Sequence, residues 1–213
     1  MQLNDSTLVE TVIKRKSPER EQEILTATLR VLRSYGVLKT STAKIAAQAN
    51  CSKETIYNWF GDREGLYAAL IRAQSRAFLE IMLRVVARGQ TIGEKLDLFS
   101  GSLLDMTTGE ANSLVNQLTI GHDHQILSAL GERDERIKGL GIDLLNEARA
   151  QRLLDFRDAE EVYSTFYGLV VGSRERQAIF GVDDARPSGE EIRFIAETAV
   201  NRLLLIYRPT GTE

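Results

Sequence analysis

The apolar positions of this 213-residue chain recur at helical spacing, and no alternating run is long enough to make a strand. A first stripe, Ile24, Leu25, Thr28, Leu29 and Leu32, opens behind Ser17-Pro18, a cap followed by a first-turn proline, and stops at Gly36. A second stripe runs through Tyr67, Leu70, Ile71, Ala77, Phe78, Ile81 and Val85, capped by Asp62 and ended near Gly89. At 1.5 Å per residue that helix is roughly 35–40 Å long. Further helices are expected at about 92–107, 110–121, 124–131, 133–152, 158–181 and 188–207. Their breaks fall at Gly89, Gly109, Gly131, Arg157 and Pro187. The predicted fold is all-α.

Between the first two stripes, residues 36–66 change character. Two short helices meet there at a tight turn. Ser41 and Thr42 are placed to cap the first, whose apolar side is Ile45, Ala46 and Ala49. Asn50 sits at the turn, where a left-handed backbone suits Gly and next best Asn. Ser52 caps the second helix, in which Ile56 and Phe60 share the inner face. Lys53, Glu54, Thr55, Tyr57 and Asn58 are left facing outward. Such a helix end suits phosphate contact and base-edge reading in a major groove. Thr42 and Tyr57 are expected to hold phosphates, with Arg63 adding a third contact and Ser52 lying at the same helix start. Lys53, Glu54, Thr55 and Asn58 are the candidates for base edges. Trp59 is expected at the margin of this head.

The run Thr42-Ala43-Lys44-Ile45-Ala46, then Ser52 through Phe60, then Arg63-Glu64-Gly65-Leu66, resembles the signature of the Tet-repressor (TetR) family of bacterial transcription regulators. The likeness covers about residues 20–70. Asn50 and Cys51 stand where that family usually has Gly and Val, and Arg63 where it usually has Lys. The resemblance implies a helix-turn-helix head, here residues 17–75, joined by a long helix to an effector-binding and dimerisation body, residues 76–213. It also implies a repressor role at a double-stranded DNA operator, relieved by a small apolar or aromatic effector. Residues 1–16 are expected to form a flexible arm.

Charge supports the division. The net charge is −3, yet residues 11–63 hold ten basic against five acidic side chains, and residues 73–213 hold sixteen against twenty-two. A basic front on an acidic body is the asymmetry expected when one end meets phosphate. No run of apolar residues is long enough for a membrane span, the first twenty residues do not resemble a signal peptide, and the lone Cys51 fits a reducing cytoplasm.

In the body, Phe78, Met82, Phe99, Met106, Gln117, His122, Tyr163, Phe166 and Tyr167 form an apolar and aromatic set with a few polar groups. That is the usual lining of a small-molecule pocket, and equally the content of a helical core. The last two long segments carry Val162, Gly168, Leu169, Gly172, Ile195, Ala199, Leu203 and Ile206. Small residues four apart and an apolar terminal helix point to a symmetric contact with a second copy. No catalytic set, cofactor motif or zinc spacing is present, so neither an enzyme nor a cofactor is expected. The alternative is a helical enzyme or a metal-dependent sensor using His122 and His124.

Overall fold

The computed structural model describes residues 17–119, 124–179 and 186–209. Among these residues there are ten helices and no strand. They are α1 (Pro18–Lys39), α2 (Thr42–Gln48), α3 (Lys53–Phe60), α4 (Arg63–Val86), α5 (Ile92–Thr108), α6 (Glu110–Thr119), α7 (His124–Ala150), α8 (Ala159–Val170), α9 (Arg174–Ile179) and α10 (Gly189–Ile206). The chain divides into two compact units: residues up to Ala73 with Leu118–Leu130, and Gln74–Gln117 with Gly131 onward. The arm expected at residues 1–16 lies outside the described residues.

The first unit is built on α1. Ser17 caps it, Pro18 opens it, and Ile24, Leu25, Ala27, Thr28, Val31 and Leu32 are buried along one side. Gly36 adopts φ 71°, a left-handed conformation that L side chains resist, and it kinks the helix where the stripe was expected to end. α2 and α3 are too short to persist alone and close over Ile45 and Ile56, both fully buried. Leu66, Tyr67, Leu70 and Ile71 from the start of α4 are also buried here.

In the second unit α10 packs on α5 and α8, around Leu96, Phe99, Leu103, Val162, Phe166, Val200 and Leu203. Ser188 and Glu191 start α10 with reciprocal bonds of 3.3 and 2.8 Å, a capping box. Tyr207 closes its end, its carbonyl accepting from the Asp155 N–H at 2.8 Å and its hydroxyl lying 3.1 Å from that of Thr165.

Two breaks differ from the sequence expectation. Gly131 does not interrupt α7, which is one helix of 27 residues. A lone glycine costs about 1 kcal/mol, which a long flanking pattern readily outweighs. Conversely the segment expected as one helix at 158–181 is two, α8 and α9, parted at Gly172 with φ 56°. Of the Gly139-Leu140-Gly141 run, Gly141 has a packing reason: a Cβ there would lie 2.4 Å from Cε2 of Tyr163 and 3.0 Å from Cζ of Phe99.

Candidate nucleic-acid interface and cavity

Each short helix of the first unit is held at both ends. The Ser41 hydroxyl accepts from the Lys44 N–H at 3.3 Å and the Ser52 hydroxyl from the Thr55 N–H at 3.1 Å. Asn50 takes φ 49° between them, and the Cys51 N–H returns to the Ala46 carbonyl at 3.0 Å. Arg20 reaches from α1 and donates to the carbonyls of Ala49 and Asn50, each at 3.0 Å, while pairing with Glu23. Arg63 donates through Nε to the Tyr67 hydroxyl at 3.0 Å and points a second nitrogen at the Val37 and Thr40 carbonyls, 3.4 Å each. Lys44 donates to the Lys39 carbonyl at 2.7 Å and lies 4.4 Å above the Tyr35 ring. Arg20 and Arg63, half-buried, and Lys44, exposed, thus brace the turn and the α1–α2 connection.

What α3 presents outward is set by Ile56, which is sealed beneath it. Ser52, Lys53, Glu54, Tyr57 and Asn58 are exposed, while Thr55 and Trp59 are half-buried, as is Thr42 at the start of α2. The Glu54 carboxyl is held below its ordinary value by the Ser52 hydroxyl and by its own N–H, so it is anionic at neutral pH. Among the described residues Arg30, Arg33, Lys39 and Lys53 are exposed cations that make no ion pair.

The second unit contains a cavity of about 230 Å³. Leu103, Met106 and Ile137 form its apolar wall, with the rings of Tyr163 and Tyr167 set 6.3 Å apart at 42°. Charged side chains complete it. Arg133 donates to Asp134 at 2.9 Å and to Asn112 at 2.6 Å, and Lys138 pairs with Glu135 at 3.0 Å and Glu160 at 3.1 Å. Glu175 accepts a 2.7 Å bond from the Tyr167 hydroxyl. Burial, reinforced by Asp134 and Glu135, pushes the Tyr163 phenol well above its ordinary value. Burial and the bond to Glu175 do the same to Tyr167, so both remain neutral donors.

The profile of bacterial regulatory proteins of the TetR family matches residues 24–70, from the core of α1 to the first turns of α4. The crystal structure of a TetR transcriptional regulator from Agrobacterium tumefaciens is 31% identical, covers 90% of this chain and 95% of its own, and superposes with a TM-score of 0.71. This chain belongs to the TetR family. The fatty acid metabolism regulator protein of Bacillus subtilis (strain 168) is 29% identical over 109 residues, 51% of this chain and 56% of that protein. The chain thus spans about half the length of that curated relative. The transcriptional regulator FadR from Bacillus subtilis, solved in complex with stearoyl-CoA, shares the fold at 19% identity and a TM-score of 0.67, covering 86% of this chain and 97% of its own.

On this TetR-family fold the residues singled out in the sequence separate clearly. Met106, Tyr163 and Tyr167 line the cavity. Met82, Phe99 and Phe166 are fully buried core, with the rings of Phe99 and Phe166 stacked at 6.1 Å, and Phe78 packs against that core. Gln117 is half-buried on α6, away from the lining, and His122 lies outside the described residues. Among the described residues no group of three or more His, Cys, Asp or Glu side chains is arranged to hold a metal.

The proposed pairing face also separates. Val162, Ala199 and Leu203 are buried in their own core, Leu169 and Ile195 are half-buried, and Gly168, Gly172 and Ile206 are exposed. Phe194 and Leu205, 70% and 73% exposed, join Ile206 on the outside of α10. The charged part of the cavity, Arg133 through Lys138 and Glu175, had no signal in the sequence. Charges at helical spacing on a polar stripe read as an ordinary solvated face.

Proposed function

We propose that this chain is a cytoplasmic transcriptional repressor that binds a near-palindromic DNA operator as a two-fold dimer and releases it when a small apolar or aromatic effector enters the second unit. The observation that carries the DNA-binding part is the doubly capped helix-turn-helix: α3 is anchored by Ile56 and presents Lys53, Glu54, Tyr57 and Asn58 to solvent. Lys reaches a guanine edge, Asn pairs twice with adenine and Glu accepts from a cytosine amine, while Tyr57 holds a phosphate. The exposed apolar residues of α10, with Gly168 exposed on α8 and Gly172 exposed in the turn that follows it, support the dimer, since bare glycines let a second helix approach closely. Dimer symmetry then asks for half-sites about 10 base pairs apart or a multiple of that.

Release is proposed to run through α4 and α7, which continue across the division between the two units. α7 carries the cavity residues Arg133 to Lys138 and, nearer its start, Gln125, whose amide lies 3.3 Å from Oδ2 of Asp62 at the head of α4. An effector that shifts α7 would alter how α4 leaves the head. By linkage it must prefer the free protein over the DNA-bound form by the factor that it weakens DNA binding, about 5–150-fold on the usual scale.

Selection of bound fragments from genomic or random DNA tests the reading. An enriched two-fold motif is expected, and Tyr57→Phe should weaken binding to every sequence by about 1 kcal/mol. Lys53→Ala and Asn58→Ala should instead alter preference at single base pairs by about 1–3 kcal/mol. No enriched sequence from the intact protein would refute the proposal.

A further inference from the structure

We infer that the cavity of the second unit selects a small organic cation with an aromatic or branched apolar body. The inference rests on reading this unit as an effector domain and names the effector's charge.

Three carboxylates line the cavity, Asp134, Glu135 and Glu175, against two cations, Arg133 and Lys138. Both cations are already held. Arg133 is bound to Asp134 and Asn112, and Lys138 lies between Glu135 and Glu160, a fourth carboxylate. Neither is free to draw in an anion. Glu175 is the opposite case: its Oε2 accepts only the Tyr167 hydroxyl, and it has no ion pair among the described residues. Among the described residues this half-buried carboxylate thus meets one neutral donor and no ion-pair partner. The two tyrosine rings beside it offer negative π faces, and aromatic faces next to a carboxylate are the chemistry that recognises an ammonium group. Leu103, Met106 and Ile137 then receive the apolar body.

Size points the same way. At about 230 Å³ the cavity is below the usual range of roughly 300–1,000 Å³ for small-molecule sites and suits one ring with a compact head. A stearoyl chain with an anionic head meets neither the volume nor the charge.

The experiment titrates the full-length protein, without DNA, by calorimetry. The probes are benzyltrimethylammonium, its neutral near-isostere 2-methyl-1-phenylpropan-2-ol, and stearoyl-CoA. The cation should bind about 10- to 30-fold tighter than the neutral alcohol. Glu175→Gln, which keeps an acceptor for Tyr167, should collapse that ratio to near one. Tyr163→Leu should reduce it several-fold, with the helical circular dichroism of both variants checked first. Equal binding of cation and alcohol, an unchanged ratio in both variants, or stearoyl-CoA binding more tightly than the cation would each overturn the inference. The DNA selection runs separately. An operator without cation preference refutes the inference and leaves the regulator standing, whereas cation preference without an operator supports the site and refutes the regulator.

Discussion

Glycine-to-alanine substitution at two positions of α7 should change stability in opposite directions. Gly131 and Gly141 both lie inside this uninterrupted helix, and alanine is favoured over glycine in a helix interior by about 1 kcal/mol. At Gly131 an added Cβ meets nothing within 4 Å, so the whole gain should appear. At Gly141 the Cβ would lie 2.4 and 2.8 Å from two ring carbons of Tyr163 and 3.0 Å from Phe99. Phe99 is fully buried against Phe166 and cannot yield, so the Tyr163 ring must move. Overpacking of this kind costs about 1–3 kcal/mol, and so short a contact belongs at the upper end. Less the helix gain, the net loss is about 2 kcal/mol. For a chain of this length 1 kcal/mol moves Tm by about 2–4 °C. Thermal unfolding followed by circular dichroism should therefore show Gly131→Ala about 2–4 °C above the parent and Gly141→Ala about 4–8 °C below it. Equal shifts of the same sign would refute the packing of Tyr163 on the α7 backbone.

Asp97 should make stability fall with rising pH. Burial, with Glu197 and Glu94 beside it, holds its carboxyl above the ordinary 3.8, and its Oδ1 has no hydrogen-bond partner. The folded protein therefore retains this proton where the unfolded chain has lost it, and the deficit grows from pH 3.8 upward. Asp97→Asn should raise Tm at pH 7 and leave it unchanged near pH 3.8; an equal shift at both would exclude titration as the cause. Arg20→Ala should destabilise the first unit by about 1–2 kcal/mol, because two carbonyls lose a charged donor. Arg20→Lys should restore part of this, because both bonds run from the single Nη2 and an ammonium also carries donors enough for two carbonyls; no restoration would mean that the guanidinium's reach matters more than its charge. Leu205→Arg should convert the dimer to monomers by light scattering, and an unchanged dimer mass would place the interface elsewhere. With Arg20 and Arg63 turned inward and Lys53 assigned to a base edge, a dimer lacking residues 1–16 has Arg30, Arg33, Lys39 and Lys44, all exposed, from each copy to meet phosphate. The slope of log K against log salt should then be no steeper than about −7, and a steeper slope would show the inward cations also reaching DNA.

The head was legible because its signals are local. A cap is one side-chain oxygen and the N–H three residues on, so Ser41, Ser52 and Asp62 announce helix starts in sequence as they do in space. Asn50 likewise marks its own backbone conformation. Long-range partners leave no such trace. Arg20 counts as one more positive charge near the DNA-reading helix until its Nη2 is seen donating to carbonyls 29 and 30 residues away. The same limit governs the second unit. Aromatic residues at helical spacing were read as one lining, yet Tyr163 and Tyr167 border the cavity while Phe99 and Phe166 do not. The proposed selectivity of the cavity rests on the meeting of α7 charges with Glu175 on α9, a helix parted from α8 at one left-handed glycine. If Gly172 did not break the segment, Glu175 would continue the register of α8, in which residue 175 follows Gly168 and Gly172 on the face proposed for a second copy. The turn at Gly172 takes this carboxylate off that face and brings it to the Tyr167 hydroxyl. The break that the periodicity failed to announce thus separates the face proposed for pairing from the proposed ligand site.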